Sequence, residues 1–322
     1  MTNNYVITTI RPAGPNSRMG VDPVLNNAGH VAGSYVPPGF DTVSAFLYDG
    51  MTIHHLGLQT GQAGAVTVLT NSGHVGGYLI TYDPNPRGDP PLSRHLACVW
   101  RHDHWEVVRI PAYRHCQLVG ITDDETMVIR CDLSRIAIYH AGAYHFLQDI
   151  EGAERQARAV NAHGMIVGTS RLPDRTNRGF VSDGTQIHTL GALALGSSPV
   201  SGALGINDHG VVVGISGSRR ERHAFRYDTQ GMHDLGTLVG YYSCALDINN
   251  HGAVVGYAGS GTGGEERALL WRRGELYDLN TLIDEPDWLL QKATAINDAG
   301  QIAGYGRCDD IPTVFLLTPR EG

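Results

Sequence analysis

Lysine is nearly missing from this chain: of its 24 basic residues only Lys292 is lysine, and the other twenty-three are arginine. Charge of either sign is sparse, with 17% charged residues and a formal net charge of −8. That balance excludes broad electrostatic attachment to nucleic acid or to an anionic membrane. No apolar run approaches the length of a membrane span, and Met1-Thr2-Asn3-Asn4 leads into a strand pattern without an apolar leader segment. The five cysteines (Cys98, Cys116, Cys131, Cys244, Cys308) are odd in number and show no CxxC spacing. They predict reduced thiols in a cytoplasmic protein rather than a disulfide framework. Also missing are a GxSxG elbow, a phosphate-binding P-loop, a GxGxxG in a βαβ setting, an EF-hand loop and an HExxH pair. No reaction is therefore readable from a motif, and no cofactor is predicted.

What is present is a repeat. Ile206-Asn207-Asp208-His209-Gly210, followed by Gly214, returns as Ile248-Asn249-Asn250-His251-Gly252 with Gly256, and as Ile296-Asn297-Asp298-Ala299-Gly300 with Gly304. Earlier copies begin at Leu25, Leu69 and Val160, and a worn copy runs Ile121-Thr122-Asp123-Asp124-Glu125. A spacing of roughly 40–50 residues fits the blade periods of propellers. In the fifth unit Gly202 to Ile206 reads as a strand, Asn207 to Gly210 as a turn, and Val211 to Ile215 as a second, β-branched strand. His223 to Tyr227 and Met232 to Leu238 supply a third and a fourth.

The expected fold is thus an all-β, seven-bladed β-propeller of four-stranded antiparallel blades in a single domain over 1–322. Approximate blades are 19–58, 59–110, 111–150, 151–192, 193–238, 239–284 and 285–322. The last unit lacks a fourth strand, whereas Tyr5 to Ile10 is a strand without a unit. That orphan is expected to complete the last blade and close the ring, leaving no open sheet edge.

His223-Ala224-Phe225 with Met232-His233-Asp234-Leu235-Gly236-Thr237-Leu238, and the stretch Tyr241 to Gly256, closely resemble the HAF repeat, named for its His-Ala-Phe. The resemblance covers nearly the whole chain, most strongly in units five to seven. It implies a propeller-like fold and no shared catalytic residues. Many members of that family look secreted; this chain is expected to depart from them, since no leader is read at its start.

Sixteen histidines invite a metal reading. His163, His209 and His251 precede the turn glycine, and His54, His145, His188 and His233 share one slot on the outermost strand. Residues in one repeat slot lie in different blades and do not converge on one ion, and His102-Asp103-His104 offers two alternating side chains at a turn. No metal site is expected.

Function is sought where the repeat breaks and where loops converge. The loops leading into each first strand, and those joining second to third strands, share one face above the axis. They are long and varied: Ser34 to Ser44, Tyr78 to Arg94, Thr169 to Arg178 and Tyr257 to Arg267. Such loops over a rigid ring form a binding face. Unit three is the chief break: it puts Glu125 in place of the turn glycine, Arg130 in place of the second-strand glycine, and Cys131 beside it. Arg114, Arg130 and Arg155 are expected to meet near the mouth as guanidinium forks for carboxylate or phosphate, with Glu151, Glu154 and Arg158 on the next loop. The competing reading pairs those arginines with Asp123, Asp124, Glu125 and Glu154 for structure. His115 beside Cys116 suggests an activated thiolate or proton shuttle, although adjacent strand residues point to opposite sides. Lys292 sits just before the last first strand, in the slot of Gln117, Gln156, Gly202 and Cys244, where a lone amine would bind an anion or act as base or nucleophile. Tyr113, Tyr241, Tyr242 and Trp288 are expected to wall an aromatic pocket.

Two functions follow. The first is a small-molecule site for a polar, anionic or planar ligand at the channel mouth, catalytic or not, with Lys292, His115 and Cys116 as catalytic candidates and specialised metabolism as the setting. The second is a non-catalytic protein-interaction platform on the same face, with Pro37-Pro38-Gly39 and the Tyr82 to Leu92 loop as docking elements. The first is preferred, because a chain consisting only of a propeller has no partner domain to scaffold.

Overall fold

A computed structural model describes residues 4–12, 18–39, 43–57, 63–83, 92–132, 134–147, 154–238, 240–259 and 265–320. Glu151 and most of the Tyr82 to Leu92 loop lie outside them. The N-terminal strand is β1 (Tyr5–Ile10). Unit one gives β2 (Arg18–Leu25), β3 (Val31–Val36), β4 (Ser44–Tyr48) and β5 (Ile53–Leu56). Unit two gives β6 (Ala63–Leu69), β7 (Val75–Asp83), β8 (Leu92–Arg101) and β9 (His104–Val108). Unit three gives β10 (Cys116–Ile121), β11 (Met127–Cys131), β12 (Arg135–His140) and β13 (Ala143–Phe146). Unit four gives β14 (Glu154–Val160), β15 (Ile166–Arg171), β16 (Asn177–Ser182) and β17 (Ile187–Thr189). Unit five gives β18 (Val200–Ile206), β19 (Val212–Gly217), β20 (Arg222–Asp228) and β21 (Gly231–Asp234). Unit six gives β22 (Tyr242–Ile248), β23 (Val254–Gly259), β24 (Arg267–Arg272) and β25 (Glu275–Asp278). The last unit gives β26 (Trp288–Ile296), β27 (Ile302–Cys308) and β28 (Ile311–Pro319).

The fold is an all-β propeller, but the expectation of seven four-stranded blades is corrected. Five blades stand as separate four-stranded antiparallel sheets. The strands of units five and six are joined in one eight-stranded sheet. The cause is local: Arg222 of β20 pairs in parallel with Tyr242 of β22, and the Arg222 amide donates to the Tyr241 carbonyl at 2.9 Å. The third strand of one unit is thereby hydrogen-bonded to the first strand of the next. Elsewhere β1 pairs antiparallel with β28 from Tyr5↔Pro319 to Ile10↔Val314, as the outer strand of the sheet that also holds β26 and β27.

The inner strands surround an axis, with β2 touching β6 and, at the far end of the chain, β26 touching β2. Six of them share a bulge, between Val66 and Val68, Leu118 and Gly120, Ala157 and Ala159, Ala203 and Gly205, Ala245 and Asp247, and Ala293 and Ala295. A bulge inserts one residue and re-aims its side chain. The inserted residues, Thr67, Val119, Arg158, Leu204, Leu246 and Thr294, all line the axial cavity. The hydrophobic core lies between neighbouring units, where Phe46, Phe180, Phe225 and Phe315 of the third strands are fully buried.

The repeated asparagine holds these units to one another. Asn249 is buried; its Oδ1 accepts from the His251 and Ala253 amides at 3.1 and 2.9 Å, closing its own turn. Its Nδ2 donates to the Asn297 carbonyl of the next unit at 2.9 Å. The same donation runs from Asn161 to Asn207, Asn207 to Asn249, Asn297 to Asn26 and Asn26 to Thr70. Thr70 and Thr122 replace asparagine in units two and three and lack the reach to continue the chain of bonds.

Candidate functional site

The two mouths of the axial channel differ in chemistry. At the turn-face mouth the polar groups are consumed by one another: Asp298 accepts from the Asn250 amide and from Asn27 and Asn250 side chains, while Asp208 accepts from the Ala162 amide and Asn250. At the loop-face mouth units three to seven instead each contribute one residue from the first strand and the residue facing it on the second. These are Gln117 with Arg130, Gln156 with Thr169, Gly202 with Ile215, Cys244 with Tyr257, and Lys292 with Tyr305. Lys292 therefore occupies the slot expected of it. Arg130 does not: the residue opposite Leu118, in the place of the second-strand glycines, is Ile129, and Arg130 lies one position beyond it. In a strand that single step moves a side chain to the other face of the sheet, which carries Arg130 to the mouth, in the slot of Tyr78, Thr169, Tyr257 and Tyr305.

One arc of the mouth is built by units two to four. The Arg130 guanidinium donates to the Gln117 amide oxygen, and Gln117 Nε2 lies 3.4 Å from His95 Nδ1. The His95 ring stacks on Tyr78 at 4.9 Å and meets His115 edge-on at 4.7 Å. Arg158 donates to Gln156 Oε1 at 3.3 Å. Burial, then the nearby Arg158 charge, lower the Arg130 pKa, although a guanidinium remains protonated. Burial and then His115 push His95 down, favouring its neutral form. Among the described residues neither Arg130 nor Arg158 has a carboxylate partner.

The opposite arc is self-satisfied. Lys292 Nζ donates to Asp22 at 2.7 Å and lies 5.3 and 5.6 Å from the Tyr257 and Tyr305 ring centres. Burial disfavours its ammonium, but Asp22 outweighs burial and the net shift is upward. A base or amine nucleophile needs the reverse, so Lys292 is a fixed cation here. Tyr242 bonds Tyr257 hydroxyl to hydroxyl at 3.2 Å, and burial raises both phenols.

The other expected site residues disperse. Arg114 pairs with Asp83 at 3.6 Å. Arg155 is only 1% exposed, opposite Ser170, and is packed away from the mouth. Tyr113 packs on Phe146 and Trp288 on Phe315, each pair inside its own unit. Tyr241 is 66% exposed. Cys116 faces Cys131 across the ladder with its sulfurs 3.1 Å apart, both buried, so its partner is a second thiol and not His115. That hydrogen bond lowers the Cys116 thiol and raises Cys131. All five cysteines are free, and among the described residues no group of three or more His, Cys, Asp or Glu side chains is placed to hold a metal. No helix among them is long and apolar enough to cross a membrane.

Three features escaped sequence reasoning. Asp22 lies in an irregular stretch of β2, and only the fold brings it to Lys292. An axial cavity of about 310 Å³ is walled by Val24, Val119, Leu204 and Leu246 and carries Arg158 and Asp247. A groove of about 960 Å³ lies on the turn face against Trp271, Leu270 and Arg272. Its polar groups are partly spent: Trp271 Nε1 donates to the Leu235 carbonyl and Arg226 pairs with Asp228.

No protein-family model matches the chain, and no curated protein matches it. Solved structures do. A puromycin-hydrolyzing peptidase of Mycobacterium tuberculosis aligns at a TM-score of 0.62 and 14% identity, over 99% of this chain and 54% of that one. Oligogalacturonate lyase in complex with manganese aligns at 0.59 and 14%, over 100% and 99%. YCF48 bound to D1 peptide aligns at 0.57 and 12%, over 99% and 96%. The chain spans about half the length of the peptidases it matches. At these identities the likeness is one of fold, a fold that serves both enzymes and a peptide-bound protein.

Proposed function

We propose that this propeller binds a small anionic molecule, planar or polar, at its loop-face mouth. The observation that carries the reading is the Arg130–Arg158 pair. The Arg158 charge lies close enough to lower the Arg130 pKa, and each guanidinium is tied to a glutamine amide with neither opposed by a described carboxylate. Such a pair is relieved by a carboxylate or phosphate that accepts from both forks. His95 and Tyr78 add flat surfaces beside it. Resemblance to the HAF repeat supports the scaffold and leaves the ligand to this arc. Lys292, held by Asp22, serves the opposite wall as a structural cation.

Calorimetric titration with 3-phenylpropionate and with inorganic phosphate tests the reading. Losing one charged hydrogen-bond donor costs about 1.5–3 kcal/mol, so Arg130→Gln should weaken binding at least ten-fold while the melting temperature stays within a few degrees. Equal binding by wild type and Arg130→Gln removes the site from this arc. If neither anion binds wild type, the loop face is better read as a protein-docking platform.

A further inference from the structure

The axial cavity below the mouth carries two unlike charges that are not paired with each other. Its wall otherwise includes apolar or neutral side chains such as Val24, Val119, Leu204, Leu246, Thr67 and Thr294. Arg158 is the bulge residue of its strand, in the slot where unit six has Leu246. Asp247 is the next residue along β22, facing Val255; the same position holds Gly120, Ala159, Gly205 and Ala295 in other units. In unit two the position is Val68, so a carboxylate there departs from an otherwise uncharged ring.

We infer that the axial cavity receives a small zwitterion with an apolar body, its anionic group on Arg158 and its protonated nitrogen on Asp247. The Asp247 oxygens accept from the Ile248 and Ile296 amides at 2.9 and 2.8 Å, which fixes the carboxyl in place. A carboxylate has about four lone-pair sites, so accepting capacity remains for a ligand ammonium. About 310 Å³ is at the lower end of small-molecule sites, which run from roughly 300 to 1,000 Å³. Aliphatic side chains with a few convergent polar groups are usual in such sites, and both line this cavity, whose accessible surface is more polar than apolar. Burial holds the Asp247 pKa up, at about 6, so an ammonium that stabilises the ionised form is favoured there. The inference rests on the anion reading of Arg158 and adds the second contact point and the apolar body.

Three probes separate the two claims: L-phenylalanine, 3-phenylpropionate and 2-phenylethylamine, each titrated into the full chain at pH 7.5. The expected order is L-phenylalanine tightest, by at least ten-fold over the acid, with the amine weakest. In Asp247→Asn the advantage of the amino acid over the acid should vanish while acid binding persists. Should Asn face its backbone donors badly and unfold the chain, Asp247→Ala restores the residue that two other units already carry. Acid and amino acid binding equally to wild type would overturn the zwitterion inference and leave the anion site standing. No binding of acid or amino acid would overturn both.

Discussion

Glu125 stands where the other units place a turn glycine, and it adopts the same left-handed backbone, φ 65° against 74° for Gly210 and 77° for Gly252. A residue with a Cβ is roughly 1–2 kcal/mol less favourable there than glycine. Its carboxylate pairs with Arg101 at 3.1 Å, but Glu125 is exposed and Arg101 only partly buried, and such surface pairs contribute about 0–1 kcal/mol. Glu125→Gly should therefore raise stability by about 0.5–1 kcal/mol in urea unfolding, and a lower midpoint would show that the ion pair outweighs the strain. Asn249 is the opposite case. Asn249→Ala leaves two turn amides and the Asn297 carbonyl without their partner inside the ring. At about 1–3 kcal/mol for each buried group left unsatisfied, a loss of roughly 2–4 kcal/mol is expected, and a loss below 1 kcal/mol would mean water takes over these bonds. The turn-capping half of this role was legible in the sequence, because a side-chain oxygen reaching two to four residues ahead is a local property. The inter-unit half was not, since it depends on a carbonyl some 48 residues away.

At the scale of elements, β1 is held by a full antiparallel ladder to β28, with Tyr5 and Ile10 buried in two different clusters. Removing residues 1–10 strips β28 of its outer neighbour and takes both side chains out of these clusters, each worth about 1.5–3 kcal/mol of burial. An open, apolar edge is also a template for association between chains. The truncated protein should unfold at least 15 °C lower or form oligomers in light scattering, and a synthetic peptide of residues 4–12 should restore both properties. A truncated chain that stays monomeric with an unchanged melting temperature would show that the ladder contributes little. The strand itself was legible from its β-branched run, and the four-strand grammar of each unit from its turns. The joining of units five and six was not legible, because one parallel bridge between Arg222 and Tyr242 depends on where two loops come to rest. The same limit applies to Arg130. Its residue type marked unit three as a break, but register decides which face a strand residue presents, and a displacement of one position reverses the assignment.

At the scale of the molecule, the channel joins a mouth whose polar groups satisfy one another to a mouth whose guanidiniums do not, and Asp247 lies between them. Its carboxyl titrates at about 6 in the fold, raised first by burial and further by Asp298, while its two backbone donors act the other way. Arg158 lines the same cavity. In the unfolded chain an aspartate titrates at about 3.9. Between these values the folded state holds more protons than the unfolded one, so stability falls as pH rises from about 4 to about 6, then levels off. The amplitude is roughly 1–3 kcal/mol, discounted because the cavity that Asp247 lines admits water. Urea midpoints for wild type and Asp247→Ala, measured from pH 4 to 8, should converge or cross as pH rises through this window, with the variant gaining on wild type. A difference independent of pH would place the Asp247 carboxyl at its ordinary value and remove the case for a buried charge. Ligand binding must show the converse, since an ammonium needs the ionised carboxylate: L-phenylalanine affinity should fall as pH drops below about 6, and 3-phenylpropionate affinity should not fall with it.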